Sequence, residues 1–230
     1  MNRDLVVKKI SDNNFLVIAT DCSGACGNKE LDYVNVTTET LAYFAARVAF
    51  MEVLSVGATP LAYTVSNLIK DGYDDLHKGI NKLLDELQLE NIENITSTET
   101  NFDMLQSAIG ITVIGQLSKQ INDNIKGLEY ACIGHPLVGD EVVNMQEDML
   151  GMKDFISIIE DDQIPLVLPI GSKGIKRKMQ ITLNVTPSST EVDINKSAGP
   201  STCVVIGFKK NRRDELAEKF GKLFSPISIA

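Results

Sequence analysis

The sequence predicts an α+β fold made of one full domain followed by a shorter one. Before residue 120, five strand-like runs and two helix-length segments follow one another in the order β-β-α-β-α-β-β. The strand-like runs are rich in β-branched residues and bounded by turn residues, whereas the helical segments repeat their apolar residues every three or four positions. This order favours a single sheet with helices on one face. A chain of 230 residues that is 43% hydrophobic suffices for about one and a half domains.

Start and stop signals place the elements of the first domain. A threonine cap opens the first helix and Gly57 ends it. An Asp71-Gly72 turn precedes the second helix, which is amphipathic. The expected elements are strands at Leu5–Val7 and Phe15–Thr20, a helix from Thr37 or Thr38 to about Val56, a strand at Leu61–Ile69, a helix from Asp74 to about Leu87, and strands at Asn94–Thr98 and Ala108–Leu117.

A second unit begins beyond a polar stretch at residues 118–127. We expect it to start with a strand at Glu129–Gly134 and to end with a strand at Thr202–Phe208 and a charged helix from Arg212 to Phe224. The predicted domains are therefore residues 1–120 and 121–230.

Charge and hydropathy exclude several kinds of partner. A formal net charge of −9 repels a polyphosphate backbone, so we expect no nucleic-acid partner. No stretch approaches the eighteen or so apolar residues of a membrane span, and the N-terminus has no apolar signal segment. We therefore expect a cytoplasmic protein with no membrane partner, whose four cysteines are free thiols.

A nearly uncharged region surrounds one acid. Residues 40–69 contain only two formal charges, Arg47 and Glu52, and the helix within them is apolar on nearly all sides, which predicts burial. Arg47 lies about 140° from Glu52 around the helix and cannot readily neutralise it. Because an unpaired buried charge is costly, Glu52 needs a partner. Either it forms a structural ion pair with another element or subunit, or it is a metal ligand that faces a nucleotide.

Two further acids stand at strand ends. Asp21 precedes a glycine-containing loop, where an ordinary turn aspartate is the alternative, and Glu99 lies in the hydroxyl-rich run 96–100, where the alternative is a polar turn. The chain has neither a Walker A motif nor a G-x-G-x-x-G motif, so a P-loop or Rossmann site has no support. Carboxylates commonly share Mg²⁺ with phosphate oxygens. The sequence therefore predicts a magnesium site formed by Asp21, Glu52 and Glu99.

Three segments carry a pattern shared with a known superfamily. Ile18–Gly24 resembles a strand followed by T-D-G-x-G, Phe50–Pro60 ends in Gly-Ala-x-Pro, and Ser97–Thr100 stands in place of G-G-[DE]-T. Over about residues 15–117 the chain thus resembles the aminoimidazole-ribonucleotide-synthase-like superfamily. The resemblance implies a ferredoxin-like N-terminal domain that dimerises through a shared β-barrel and binds ATP with Mg²⁺. It implies catalytic and metal-binding roles for Asp21, Glu52 and Glu99 and nucleotide contacts from Thr20, Gly24, Ser97, Thr98 and Thr100.

The second half resembles an abbreviated α/β substrate-binding domain of the same superfamily. The segments Gly139-Asp140, Gly171–Ile175 and Lys196–Pro200 carry this likeness, and the trimmed form is similar to the α-ribazole kinases of cobalamin salvage. Lys173 opens a basic run at residues 173–178. Either this run meets a phosphate at a helix N-terminus, for which we include Lys173 among the nucleotide-binding residues, or it is a solvated helix face.

Three functions fit this pattern. The first is an ATP- and Mg²⁺-dependent kinase that phosphorylates a small nucleoside-like metabolite, with α-ribazole as the first substrate to try. The second is an ATP-dependent ligase or cyclase of the aminoimidazole ribonucleotide synthase type. The third is a regulatory protein that binds nucleotide without turnover. A homodimer is implied by the resemblance in each case.

Overall fold

The chain forms two compact units in the computed structural model, which describes residues 3–70, 72–121 and 126–229. We call residues 5–119 the N-terminal unit. The C-terminal unit consists of the described residues from Gln120 onward together with Arg3 and Asp4. The expected Asp71-Gly72 turn falls partly outside the described residues, because Asp71 is not among them; Gly72 has a φ of 80° and precedes a helix.

The N-terminal unit contains the seven elements expected from the sequence and two short extra strands. Every expected helix and strand is found, with its ends shifted by a few residues. In chain order the elements are β1 (Val6–Ser11), β2 (Asn14–Gly24), β3 (Cys26–Gly27), β4 (Val34–Asn35), α1 (Thr38–Leu54), β5 (Thr59–Asn67), α2 (Tyr73–Glu86), β6 (Glu93–Thr98) and β7 (Ala108–Leu117).

One five-stranded sheet organises this unit, in the order β1-β2-β7-β5-β6. Strand β7 is antiparallel to both β2 and β5, and β6 is parallel to β5. Strands β2, β5 and β6 therefore run in the same direction. Their last residues, Gly24, Asn67 and Thr98, lie at one edge of the sheet, which we call the carboxyl edge.

The two faces of the sheet differ in burial. Helix α1 packs on one face, and α2 packs on α1. Side chains that point toward α1, such as Val17, Ala19 and Val113, are almost fully buried. Their alternate neighbours point to the opposite face, where Ile18 and Ile114 are only partly buried. We call this second side the open face.

The C-terminal unit is a second antiparallel sheet with four helices. Its elements are β8 (Leu128–Ile133), α3 (Glu141–Asn144), α4 (Met152–Ile159), β9 (Leu166–Pro169), α5 (Gly174–Leu183), β10 (Pro187–Ser188), β11 (Val204–Lys209), α6 (Arg213–Phe220) and β12 (Phe224–Ile229), with short 3₁₀ turns at Gln146–Asp148, Lys210–Arg212 and Gly221–Leu223. The strand order is β10-β12-β8-β11-β9. The five consecutive buried residues at the start of β11 show that both faces of the sheet centre are covered.

The last expected helix, from Arg212 to Phe224, is wrong in its last four residues. Helix α6 ends at Phe220, because Gly221 takes a positive φ of 52°, and Phe224 begins strand β12 instead. Elements α4 and β9 were not expected from the sequence. Within the described ranges, no helix is both long enough and apolar enough to cross a membrane.

Candidate functional site

Asp21 lies in the second half of β2, on the side of the sheet that α1 covers. It pairs with Ile111 of β7 and follows the buried Val17 and Ala19 at alternate positions of the strand. The side chain is half-buried. The strand continues three residues beyond it, so Asp21 is not at the strand end as the sequence suggested.

The surroundings of Asp21 favour its protonated form. Burial raises the pKa of Asp21 to about 6, a backbone hydrogen bond from Cys22 opposes this shift, and the charge of Glu52 adds to it. The interaction shows that the two carboxyl groups lie within electrostatic reach of each other. Asp21 is therefore an acid whose ionised form is disfavoured at its place in the fold.

Glu52 lies in the last turn of α1 and is 5% exposed, which confirms the burial expected from the nearly uncharged helix around it. Its Oε2 atom is almost inaccessible to solvent. The helix places Glu52 against the sheet because positions three and four residues apart share one face, and Leu41, Ala45 and Ala49 on that side are also buried.

Glu99 directly follows β6 at the carboxyl edge. Its Oε1 accepts hydrogen bonds from the backbone N–H groups of Asn101 at 2.6 Å and Phe102 at 3.2 Å. These bonds hold the pKa of Glu99 below its ordinary value. Its own N–H donates to the carbonyl of Asn67 at 2.9 Å. Glu99 is therefore an ionised side chain that also caps the turn after β6.

The sheet order separates the three predicted acids. Strands β7 and β5 lie between β2 and β6, so Asp21 and Glu99 are about three strand spacings apart, or roughly 14 Å. Ligand oxygens lie about 2.1 Å from Mg²⁺, a distance that does not allow one ion to reach both acids. Among the described residues no three His, Cys, Asp or Glu side chains group as a metal site. The structure thus brings Asp21 to Glu52 but not to Glu99, and the three-ligand set stays a prediction.

The predicted phosphate-contacting residues are divided between the two faces. Thr20 points to the open face, where it donates to the carbonyl of Ile111 at 3.1 Å and accepts from Thr112 at 3.0 Å. It therefore lies on the opposite side of the sheet from Asp21. At the carboxyl edge, Ser97 and Thr100 are exposed, Thr98 is partly buried, and the space beside Gly24 is open.

Asn67 is a residue of the carboxyl edge that the sequence did not single out. Its side chain is 1% exposed, Oδ1 accepts from the N–H of Ile69 at 2.9 Å, and Nδ2 donates to Thr98 at 3.4 Å. The amide fixes the chain as it leaves β5 and touches the end of β6. The signal was a polar residue within the apolar run 61–69.

Asp32 ties the loop between β3 and β4 to the start of β7. Its carboxylate accepts from the N–H of Ser107 at 2.8 Å, from the hydroxyl of Ser107 at 2.7 Å and from the N–H of Lys29 at 2.9 Å. Burial alone would raise the pKa of Asp32, but these hydrogen bonds outweigh it and hold the pKa below its ordinary value. Because Asp32 and Ser107 are 75 residues apart in sequence, no local pattern indicates the contact between them.

Lys173 is exposed and directly precedes α5 in the C-terminal unit. The N–H of Lys176 donates to the carbonyl of Ile194 at 2.8 Å, so a backbone group already occupies part of this helix N-terminus. Lys178 is buried, and its ammonium group lies 2.8 Å from Asp4. The exposed Lys173 and Arg177 fit the description of a solvated helix face, whereas Lys178 does not.

The sequence matches no protein-family model and no curated protein. Solved structures do match. The complex of T. maritima PurL with AMPPCP aligns with a TM-score of 0.63 at 13% identity, over 97% of this chain and 41% of that one. Thiamine-monophosphate kinase from Stenotrophomonas maltophilia K279a aligns with a TM-score of 0.62 at 12% identity, over 99% and 89%. The complex of Aquifex aeolicus ThiL with AMPPCP and TMP gives 0.63 at 12%, over 100% and 85%.

This chain has the aminoimidazole-ribonucleotide-synthase-like fold. The fold class expected from the three sequence segments is thereby confirmed. At 12–13% identity the likeness is one of fold. This chain spans well under half of the PurL chain and most of the two kinase chains.

Proposed function

We propose that this chain uses ATP and a divalent cation to transfer a phosphoryl group to a small nucleoside-like metabolite. The observation that carries the proposal is the acid pair of Asp21 and Glu52. Burial and the charge of Glu52 disfavour the ionised form of Asp21, and a bound cation would remove that penalty. The fold is shared with a thiamine-monophosphate kinase and with two proteins solved with AMPPCP, an ATP analogue.

Asp21 and Glu52 would hold one Mg²⁺ ion, and Glu99 would serve a second position along the carboxyl edge. Bound Mg²⁺ would supply charge neutralisation of the phosphates. Ser97, Thr98 and Thr100 follow one another at this edge and offer hydroxyl groups to phosphate oxygens. In phosphoryl transfer, positioning and electrostatic stabilisation provide most of the catalysis, so a site made of acids and hydroxyls fits the reaction.

The first test is calorimetric titration of the whole protein with Mg·ATP. We expect binding in the wild type and loss of most Mg²⁺-dependent affinity in Asp21→Asn and Glu52→Gln. Asp12→Asn is the matched control, because Asp12 is a highly exposed acid in the β1–β2 turn. Equal Mg·ATP affinity in all four proteins would contradict the proposed cation site.

The acceptor is tested by mass spectrometry of a panel of ribosides, α-ribazole among them, incubated with Mg·ATP. A kinase leaves the labelled γ-phosphate on the isolated product. The fold shared with PurL keeps an ATP-dependent ligase or cyclase as the second candidate, and that enzyme would release the label as free phosphate. Mg·ATP binding with no phosphate release across the panel would favour the regulatory alternative.

We also propose that the active form is a cytoplasmic homodimer joined through the open face. Val6, Ile18, Ile114 and Ala62 form one cross-strand row on this face. A row of apolar side chains that is left partly exposed across four strands is typical of a surface that a second protein covers. A second copy would supply the same row.

A further inference from the structure

Two loops at the carboxyl edge of the N-terminal unit hold large apolar side chains in solvent. We call residues 28–33 and 99–107 the edge loops. Tyr33 is 87% exposed, Phe102 76% and Leu105 73%, and Leu31 and Met104 are also exposed. We call these five side chains the apolar patch. Single exposed apolar residues are ordinary, but five on two adjoining loops indicate an interaction site.

Polar contacts hold the edge loops against each other. The ammonium group of Lys29 donates to the carbonyl of Met104 at 2.8 Å, and Gln106 donates to the carbonyl of Leu31 at 2.6 Å. Asp32 adds its two hydrogen bonds to Ser107. These hydrogen bonds join residues 75 positions apart and fix the backbone of both loops, while the apolar side chains remain exposed to solvent. This arrangement preorganises the patch for a ligand.

The position of the patch indicates what it binds. One edge loop begins at Glu99, directly after the hydroxyl run of β6, and ends directly before β7, whose first residue pairs with Gly24 at the end of β2. The other edge loop lies between β3 and β4 and is bonded to the first. The patch therefore continues the carboxyl edge at which we place the phosphates. A nucleotide held there by its phosphates would have these loops within reach of its base.

We propose that the apolar patch binds the planar heteroaromatic base of the nucleotide, with the rings of Tyr33 and Phe102 as its main contacts. Stacking on an aromatic side chain suits every base, because each base presents a π-face, and it needs no charged partner. This inference rests on the proposed function and adds to it the site at which the base is recognised.

A tryptophan probe tests the contact directly. The chain contains no tryptophan, so Phe102→Trp introduces the only one. We expect Mg·ATP to change the emission of this residue and Mg·tripolyphosphate, which has no base, to leave it unchanged. Val143→Trp is the control, because Val143 is an exposed apolar residue of the C-terminal unit.

Affinity gives an independent measurement. Replacing Tyr33 or Phe102 with Ser is expected to weaken ATP binding about 10-fold, in line with the loss of one stacked ring. The same variants should bind tripolyphosphate as the wild type does. Val143→Ser should change neither affinity.

Each other outcome has a defined meaning. If the wild type binds neither ligand, the proposed function fails and the base site fails with it. If the wild type binds both ATP and tripolyphosphate, but neither the serine variants nor the tryptophan probe respond differently to these two ligands, only the base site is overturned. An emission change with a phosphate-free riboside but not with ATP would assign the patch to the acceptor instead. A serine variant that alters the sedimentation coefficient without altering ATP affinity would make the patch a subunit contact. Each of these last two results also overturns the proposal.

Discussion

At the scale of single residues, Asp21 is an acid whose burial has a cost to stability. Its pKa is raised from 3.8 to about 6 in the folded chain, so between these values the folded state holds a proton that the unfolded state has lost. Its contribution to stability is therefore present at low pH, falls as the pH rises through this window, and stays lost above about pH 6. A residue chosen for stability alone would not be an acid.

Asp21→Asn is therefore expected to stabilise the metal-free protein at pH 8, by about 2 kcal/mol after allowance for partial solvent exposure. Below about pH 4 the two proteins should be equally stable. Urea unfolding in the presence of a chelator at several pH values measures this difference. Asp12→Asn, at an exposed turn, should show no such pH-dependent gain. A loss of stability at pH 8 would mean that the Asp21 carboxylate has a compensating partner.

Asn67 provides a second prediction at this scale. Asn67→Ala removes the acceptor of the Ile69 N–H and the donor to Thr98 inside a buried region, so we expect a loss of about 2 kcal/mol in the free energy of unfolding. Asn94→Ala, on an exposed position of β6, should stay within about 0.5 kcal/mol of the wild type. Equal effects at the two positions would show that the buried amide contributes little.

At the scale of secondary-structure elements, Gly79 sets the approach of α2 to α1. A Cβ atom there would overlap the backbone carbonyl of Glu39 and lie 3.0 Å from the backbone nitrogen of Tyr43. Backbone atoms cannot move aside as a flexible side chain can. The close contact of the two helices therefore depends on the absence of one side chain.

Gly79→Ala tests this dependence because the two relevant effects have opposite signs. Alanine favours an isolated helix over glycine by about 1 kcal/mol, whereas forcing the helices apart costs more. We expect a net loss of about 2 kcal/mol in urea unfolding. Asn81→Ala, on the exposed side of α2, should be neutral or slightly stabilising. A stabilised Gly79→Ala variant would show that the helices can separate at little cost.

The elements that the sequence predicted are those with local signals. Helix α1 has a capping threonine, Thr37, whose hydroxyl accepts from the N–H of Thr40, and α2 has a clear apolar stripe. Strand β9 is a four-residue apolar run, too short for its period to separate strand from helix. Strand β12 contains Pro226, a residue that argues against a central strand; at that position β12 pairs only with β8.

The candidate site was predictable only where its residues have a local sequence signal. The lack of charge in residues 40–69 is a local signal, and it predicted the burial of Glu52. The closeness of Asp21 to Glu52 and the distance of Glu99 depend on strand order, because β7, the last strand of the N-terminal unit, lies between β2 and β5. That order is set by pairing and packing between residues far apart in sequence, and no local sequence pattern indicates it.

At the scale of the whole molecule, the open face predicts self-association. Ile18→Lys places a charge in the middle of the apolar row, and we expect it to convert the proposed homodimer to monomer in sedimentation velocity while the circular dichroism spectrum is retained. Ile181→Lys, on an exposed position of α5, is the control. A wild-type monomer, or an Ile18→Lys dimer, would contradict the proposed interface.

The attachment of Arg3 and Asp4 to the C-terminal unit affects where the chain can be divided into fragments that fold separately. Arg3 donates to the carbonyl of Val167 at 3.0 Å, and Asp4 neutralises the buried Lys178. A fragment starting at residue 120 would lack both contacts, although it contains the rest of that unit. A recombinant fragment in which residues 1–4 are joined directly to residue 120 should thus have a higher melting temperature than the fragment that starts at residue 120. The C-terminal unit is therefore expected to fold best on its own when these four residues are kept with it.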